Sequence, residues 1–421
     1  MQCTEDQKKI LDGKQGTLKQ KTLEVILKYA KALGTDELLP VAKASLFCGA
    51  HGYTKAMKTQ NLDALISEMC FCSEPINIQD QKMGCPCRSE VAPFDREHPE
   101  QCGITGGDIA DNDAVMEIFK GSGVSLDGSC IPYLTGFVPL QGEVFVCCES
   151  HAVLVMNSIW GARGNVNGLE MTFCSAACGY TPKFGMHIEK NRAGDHVFEI
   201  NAAINSRSKW DLLGYTIGRH LEAGSVPVLT GNIPRPNIQD IKACYSAIAT
   251  SGGAEMAHIV GITPEAPTLE SALQNKKPRR VTVIGDKELL QTLEMLSDIG
   301  DSGEVDYISF GCPHYSLEEI AYVAELLRGK KIARGVTLHV WTSPSIRFMA
   351  ERSGYRSAIE TAGGYLMAES CPTTFSVFPQ KYGRIVFDSC RQIHSCRPSS
   401  PAKMHYASVE TCVQAAIDGK I

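Results

Sequence analysis

Nothing in the 421-residue sequence reaches about 18 consecutive uncharged apolar residues, so no segment reads as a membrane-spanning helix. No excess of positive charge is present either. The 41 basic and 47 acidic residues are interspersed and sum to -6, which excludes a field built for nucleic acid or an anionic membrane. The opening Met-Gln-Cys-Thr-Glu-Asp-Gln-Lys-Lys lacks the basic-then-apolar order of a secretory signal, and the expected location is the cytoplasm. Also missing is the C-x2-C spacing that marks many zinc and iron–sulfur sites. With 43% hydrophobic residues, the chain has enough apolar content for one large domain or two to three ordinary ones, and a soluble globular protein is expected.

Cysteine, by contrast, is abundant. Eighteen thiols in a reducing compartment argue against a disulfide framework. Some are expected to be small buried hydrophobes, and others are better explained as metal ligands. The densest polar clustering runs from Cys130 to Arg192, where sulfur, carboxylate, amide, imidazole and guanidinium groups interrupt apolar runs. Val144, Phe145 and Val146 lead into Cys147, Cys148, Glu149 and Ser150, after which 152–156 are again apolar. Polar groups inserted in a buried run must be bonded or coordinating, because leaving one unpaired costs roughly 2 to 7 kcal/mol.

Residues 5–34 carry apolar groups at helical spacing and predict a helical N-terminal layer. His51, between two glycines, lies in a loop that can reach a pocket. Cys70-Phe-Cys72 and Cys85-Pro-Cys87 are two C-x-C pairs, read either as a zinc or second-cluster site or as unrelated thiols. Residues 88–112 predict an irregular loop. Helices are expected over 201–223 and 238–249, the latter running into a Thr250-Ser-Gly-Gly turn of the kind that lets backbone approach an anion. From about 278, strands near 280–286, 305–311, 335–342, 364–368 and 383–387 alternate with helices. That alternation predicts a parallel, doubly wound sheet whose strand ends carry Cys312, Cys371 and Ser389-Cys390. Three units are expected: a helical, Cys-rich region over 1–120, a central α/β domain over 121–277 and a doubly wound α/β domain over 278–421.

Cys130, Cys312 and Cys371 each stand one or two residues before a proline, where the chain can turn a sulfur inward. Spacing alone leaves two readings open, buried structural thiols or the ligands of an iron–sulfur cluster with one iron free to act as a Lewis acid. A resemblance bears on the choice. The ordered motifs Cys130-x-Pro-Tyr-Leu, Glu149-Ser-x-Ala-Val, Asn157-Ser-x-x-Gly-Ala-Arg, Thr181-Pro-x-x-Gly-x-His with Asn191-Arg192, Thr250-Ser-Gly, Gly261-Ile-Thr-Pro-Glu-Ala and Gly311-Cys-Pro-His-x-Ser resemble the large subunit of the aconitase X family, which is related to the aconitases. They cover about 128–372.

The resemblance implies an aconitase-like α/β/α fold in two to three subdomains around a central cleft. It implies an iron-dependent hydro-lyase acting on a hydroxy acid, known members dehydrating cis-3-hydroxy-L-proline or mevalonate 5-phosphate. Cys130, Cys312 and Cys371 would carry a [4Fe-4S] or [2Fe-2S] cluster, or iron. The catalytic candidates are Glu149, His187 and Ser389, and the substrate-binding candidates are Ser150, Asn157, Ser158, Arg163, Asn191, Arg192, His314 and Arg391. A separate small swivelling subunit, carrying a serine base, would close the site. Two departures stand out: region 45–112 lacks the family's usual motifs, and Arg391 stands where the family has a lysine. Arginine binds anions but gives up no proton. The alternative reading is a metal- or redox-sensing binding protein that kept the scaffold and lost turnover.

Overall fold

Short runs dominated by Val, Ile, Leu and Phe pair side by side because strands covered by helices on both faces have little polar surface to expose. In the computed structural model, which describes residues 3–48, 76–79, 81–104, 106–298, 303–374 and 381–421, these runs build three parallel sheets. The strands are β1 (Leu38–Pro40), β2 (Lys43–Leu46), β3 (Cys87–Ser89), β4 (Val124–Ser125), β5 (Phe145–Cys147), β6 (Tyr180–Pro182), β7 (His196–Ile200), β8 (Pro227–Gly231), β9 (His258–Ile259), β10 (Arg280–Ile284), β11 (Tyr307–Phe310), β12 (Thr337–Thr342), β13 (Tyr365–Ala368), β14 (Arg384–Phe387) and β15 (Lys403–Tyr406). The first sheet has the order β4-β3-β2-β5, the second β10-β7-β8-β9 and the third β13-β12-β11-β14-β15; β1 and β6 form an antiparallel pair.

The third sheet shows why the pattern is parallel. Ile308, Phe310, Leu338, Val340, Trp341, Leu366, Met367, Ile385, Val386 and Phe387 are all fully buried. Each such side chain contributes on the order of 1.5 to 3 kcal/mol by leaving water. Helices Leu317–Leu327, Pro344–Arg352 and Val409–Asp418 cover this sheet, and their N-caps Ser316, Ser343 and Ser408 each accept a backbone N–H of the first turn.

Several expectations change. The N-terminal layer is two helices, Glu5–Leu11 and Thr17–Ala32, broken where Gly13 and Gly16 take positive φ. Helix Gly106–Gly121 begins inside the stretch expected to be irregular. Arg280–Ile284, expected to open the C-terminal alternation, pairs instead with β7 as the edge of the second sheet. The strand β15 was not expected, its Lys403 and His405 masking the pattern.

Helices Arg207–Arg219 and Ile238–Gly252 pack backbone to backbone. A Cβ on Gly214 would lie 2.1 Å from Cys244 O, and one on Gly218 would lie 2.0 Å from Ser251 Oγ. The second of these helices runs through Thr250, Ser251 and Gly252 and ends at Gly253 in left-handed backbone. The small-residue segment is therefore a helix C-terminus, which presents carbonyls and favours a cation rather than an anion.

Candidate active site

Each strand-end turn of the third sheet delivers one group. β11 ends at Phe310, and Gly311, with φ +96°, turns the chain into Cys312; a Cβ there would sit 2.3 Å from Trp341 O. β13 leads through Glu369 and Ser370 to Cys371, and β14 leads to Asp388, Ser389 and Arg391 at the start of helix Cys390–Cys396. From the first sheet, the turn after β4 brings in Cys130, and the turn after β5 brings in Glu149 and Ser150 at the start of helix Ser150–Ile159.

These turns meet. The backbone N–H of His314 donates to Cys130 Sγ at 3.3 Å, and His314 Nε2 bonds Ser370 O at 2.9 Å. One residue thereby ties the Cys312 loop to both Cys130 and the residue before Cys371. The three thiols are nearly buried, at 9%, 7% and 9% exposure, and burial pushes each above the usual thiol range. Cys130 feels both other thiols, and Arg391 feels all three.

Arg391 and Glu149 form the polar centre. Arg391 donates to Glu149 Oε1 at 2.5 Å, to Ser150 Oγ at 3.2 Å and to Thr250 Oγ1 at 2.8 Å, so one guanidinium fork joins elements of all three sheet units. Both side chains are 18% exposed. His151 Nδ1 meets the same Glu149 oxygen at 2.9 Å. Burial pushes the Glu149 carboxyl up, but Arg391 and His151 outweigh it and hold the group at about 2. Behind them Tyr133 Oη, His151 Nε2 and His314 Nδ1 are buried without hydrogen-bond partners. Glu90, just past β3, accepts from Ser45 Oγ and Cys147 Sγ while its Oε2 has no partner, and burial pushes its carboxyl up to about 7.

A buried ionic shell braces the 311–316 loop. Lys242 Nζ donates to His314 O at 2.7 Å and pairs with Glu319; Arg207 pairs with Glu319 and Asp388 at 3.1 and 2.7 Å; the Tyr315 hydroxyl donates to Asp388.

Other candidates have different work. Asn157 bonds Gly164 N and O and Glu255 O, and Ser158 Oγ accepts from Ala257 N, so both hold backbone. Arg192 is fully buried against Glu265, and Arg163 pairs with Glu189. His187 is buried beside Asn165 with Nδ1 on Pro182 O; burial lowers it to about 4, and Arg163 and Arg192, not Glu149, are the charges that face it. Asn191 Nδ2 donates to Gly185 O beside a separate cavity. Ser389 Oγ caps its helix, accepting from Gln392 N at 3.3 Å. Sequence reasoning missed His151, Glu90 and Lys242. A charge inside an apolar run was the available signal for Lys242 alone.

His51, Cys70 and Cys72 lie outside the described residues, and Cys85 and Cys87 stand 3.9 Å apart at their sulfurs. Among the described residues no three His, Cys, Asp or Glu side chains stand close enough to hold one metal ion. Thiolates are the donors that hold iron–sulfur clusters, and Cys130, Cys312 and Cys371 would supply three of them. As donors of soft sulfur on three converging turns, they fit that group, and loading it would displace their protons.

Parallel sheets whose strand-end turns bring thiols, a carboxylate and a guanidinium together have the plan of an aconitase-like α/β enzyme. Family models described as the aconitase X first, second and third domains match residues 1–190, 194–294 and 305–418. The chain belongs to the aconitase X family, and it is a hydro-lyase. It is 30% identical over 395 residues to the phosphomevalonate dehydratase large subunit of Methanocaldococcus jannaschii, covering 92% of this chain and 93% of that one. It is 25% identical over 419 residues to the cis-3-hydroxy-L-proline dehydratase of Pseudomonas aeruginosa, covering 98% of this chain and 69% of that one. The crystal structure of Thermococcus kodakaraensis aconitase X, a holo-form, superposes with a TM-score of 0.83 at 25% identity, covering 99% of this chain and all of that one. Relatives named large subunits imply a small subunit in those proteins. Among the described residues, no helix is long and apolar enough to cross a membrane.

Proposed function

We propose that the chain is the large, catalytic subunit of an iron–sulfur-dependent hydro-lyase that removes water from a small hydroxy acid. Mevalonate 5-phosphate and cis-3-hydroxy-L-proline are the candidates that the relatives' names supply. The observation that carries the reading is the convergence of the Cys130, Cys312 and Cys371 turns on the Glu149–Arg391 pair. Cys130, Cys312 and Cys371 would hold a [4Fe-4S] or [2Fe-2S] cluster, or iron. When bound, such a group with one open iron supplies a Lewis acid for the substrate's oxygens.

The chain's own residues do the remaining work. Arg391 orients Glu149 and Ser150 and brings positive charge to a pocket that receives a carboxylate. Glu149, held as a carboxylate, is a weak base and suits orientation of the leaving hydroxyl, with His151 hydrogen-bonded to it to steady a shared proton. The base that takes the carbon-bound proton comes from a separate small swivelling subunit, whose docking also excludes water. Ser389 acts as a helix cap that fixes Arg391 two residues on.

Anaerobic co-purification with a small subunit, followed by iron and acid-labile sulfide analysis and a dehydration assay on both substrates, tests this. A coloured, iron-containing complex with turnover is expected, and Cys312→Ser should lose the iron with its far-UV spectrum unchanged. A protein that stays colourless and iron-free after reconstitution refutes the reading. Tight metal uptake without turnover would instead support the sensing protein.

A further inference from the structure

Two thiols outside the reaction centre stand almost in contact. Cys85 and Cys87 flank Pro86 at the start of β3, with their sulfurs 3.9 Å apart. Proline fixes its own φ and pushes the residue before it into extended backbone. In extended chain, residues two apart face the same side, so the Cys-Pro-Cys order aligns the two side chains. The stem is pinned as well: Gly84 N donates to Ala176 O at 2.9 Å, and a Cβ on Gly84 would lie 2.6 Å from Gly179 N. Cys85 is half-buried, whereas Cys87 is buried and lines a cavity of about 440 Å3 with Arg88 and Asp127. Among the described residues, no third metal-ligating side chain joins the pair.

We infer that Cys85 and Cys87 form an oxidisable dithiol that closes to a disulfide by exchange with a low-molecular-weight disulfide. The accessible Cys85 sulfur attacks the reagent disulfide, forming a mixed disulfide and releasing one thiol. Cys87 then attacks the Cys85 sulfur, forming the internal S–S bond and releasing the second thiol. Two protein thiols are oxidised, one reagent disulfide is reduced to two thiols, and the protons pass to those products. The hydrogen bond to Cys85, together with burial, pushes the Cys87 thiol up, so the exchange starts at Cys85. Closure draws the sulfurs from 3.9 Å to about 2.05 Å. That movement reaches the reaction centre through the next residue. Arg88 donates to Thr135 Oγ1 at 3.1 Å and to Ser129 O at 3.3 Å and pairs with Asp127, bracing the turn that carries Cys130.

The test uses the full-length chain, treated anaerobically with glutathione disulfide, alkylated and digested with trypsin. Cleavage after Lys82 and Arg88 isolates residues 83–88, a peptide with both thiols and no others. In the wild type this peptide is expected to resist alkylation and to lie about 2 Da below the dithiol form, reverting with dithiothreitol. Cys87→Ser should trap a glutathione adduct on Cys85, and Cys85→Ser should leave Cys87 unmodified. A doubly alkylated wild-type peptide, or a stable glutathione adduct that persists in the wild type, overturns the proposal. The readout requires neither iron nor turnover, so it stands or falls apart from the hydro-lyase reading. In the loaded complex, oxidation should lower turnover at least about twofold, as expected for a shift of the Cys130 turn; unchanged turnover in a fully oxidised sample overturns the link to Cys130.

Discussion

Replacing Arg391 by methionine tests whether one guanidinium organises the reaction centre. In the native chain it donates to Glu149 at 2.5 Å, Ser150 at 3.2 Å and Thr250 at 2.8 Å. Burial pushes Glu149 up, yet Arg391 and His151 hold it at about 2 against an ordinary 4.5. That difference is worth about 3 kcal/mol in favour of the charged form. Because the folded value is the lower one, the contribution is complete above about pH 5 and is lost as pH falls toward 2. Arg391→Met leaves a buried carboxylate without its cation, which should cost about 3 to 5 kcal/mol at pH 7 and flatten the acid limb of the stability profile. Arg391→Lys keeps the charge but not the planar fork. It should hold Glu149 ionised and lose only about 1 to 2 kcal/mol, from hydrogen bonds to Ser150 and Thr250. Urea midpoints measured from pH 3 to pH 8 decide the matter. A methionine variant within about 1 kcal/mol of wild type at pH 7, or a lysine variant as unstable as the methionine one, refutes the reasoning.

Glu90 should behave in the opposite sense. Burial raises its folded value to about 7 from 4.5, so stability is complete below about pH 4.5 and falls by up to about 3 kcal/mol as pH rises through 7. Glu90→Gln should therefore match wild type near pH 4.5 and exceed it at pH 8.5; a difference in urea midpoint that stays the same at both pH values rejects this. Arg192→Met should unfold more easily by about 3 kcal/mol or more, because it leaves the Glu265 carboxylate without the buried guanidinium that pairs with it. A stable variant with only a raised KM would return Arg192 to substrate binding. Gly164→Ala would place a Cβ 2.3 Å from Phe145 Cζ, and the overpacking should cost about 1 to 3 kcal/mol in a thermal melt. An unchanged melting temperature would show that Phe145 can yield.

Some of this was legible in the residues and some was not, for physical reasons. The apolar strands of the third sheet announce themselves, and the turns at their ends carry Cys312, Cys371 and Arg391, with the Cys312 turn reaching Cys130 through His314. Partner choice is not local. Nothing around Arg192 in the sequence says that Glu265, 73 residues on, will take up its guanidinium, so a buried ion pair looked like a ligand clamp. The same holds for Asn157, whose amide serves the backbone at Gly164 and Glu255. Thr250 was noticed for the wrong reason. A run of small residues reads as a turn, but Gly252 and Ser251 are small because another helix packs against them.

The placement of the centre also explains why so much charge is buried behind it. Glu149 hangs from the first sheet, Thr250 from a helix of the second unit, and Arg391 from the third sheet, so their arrangement exists only when all three units are docked in register. Apolar surfaces resist separation but tolerate sliding, since burial is non-directional. Lys242 and Arg207, from the second unit, end on Glu319 and Asp388 of the third, and each pair is satisfied only at one offset. Ion pairs of this kind add little net stability against hydrophobic replacements, and their best-attested use is fixing registry. Lys242 Nζ also holds the carbonyl of His314, whose own N–H reaches Cys130. The contact that aligns the second and third units is thus two bonds from a thiol of the first, and a slip between units would be felt directly at the sulfur.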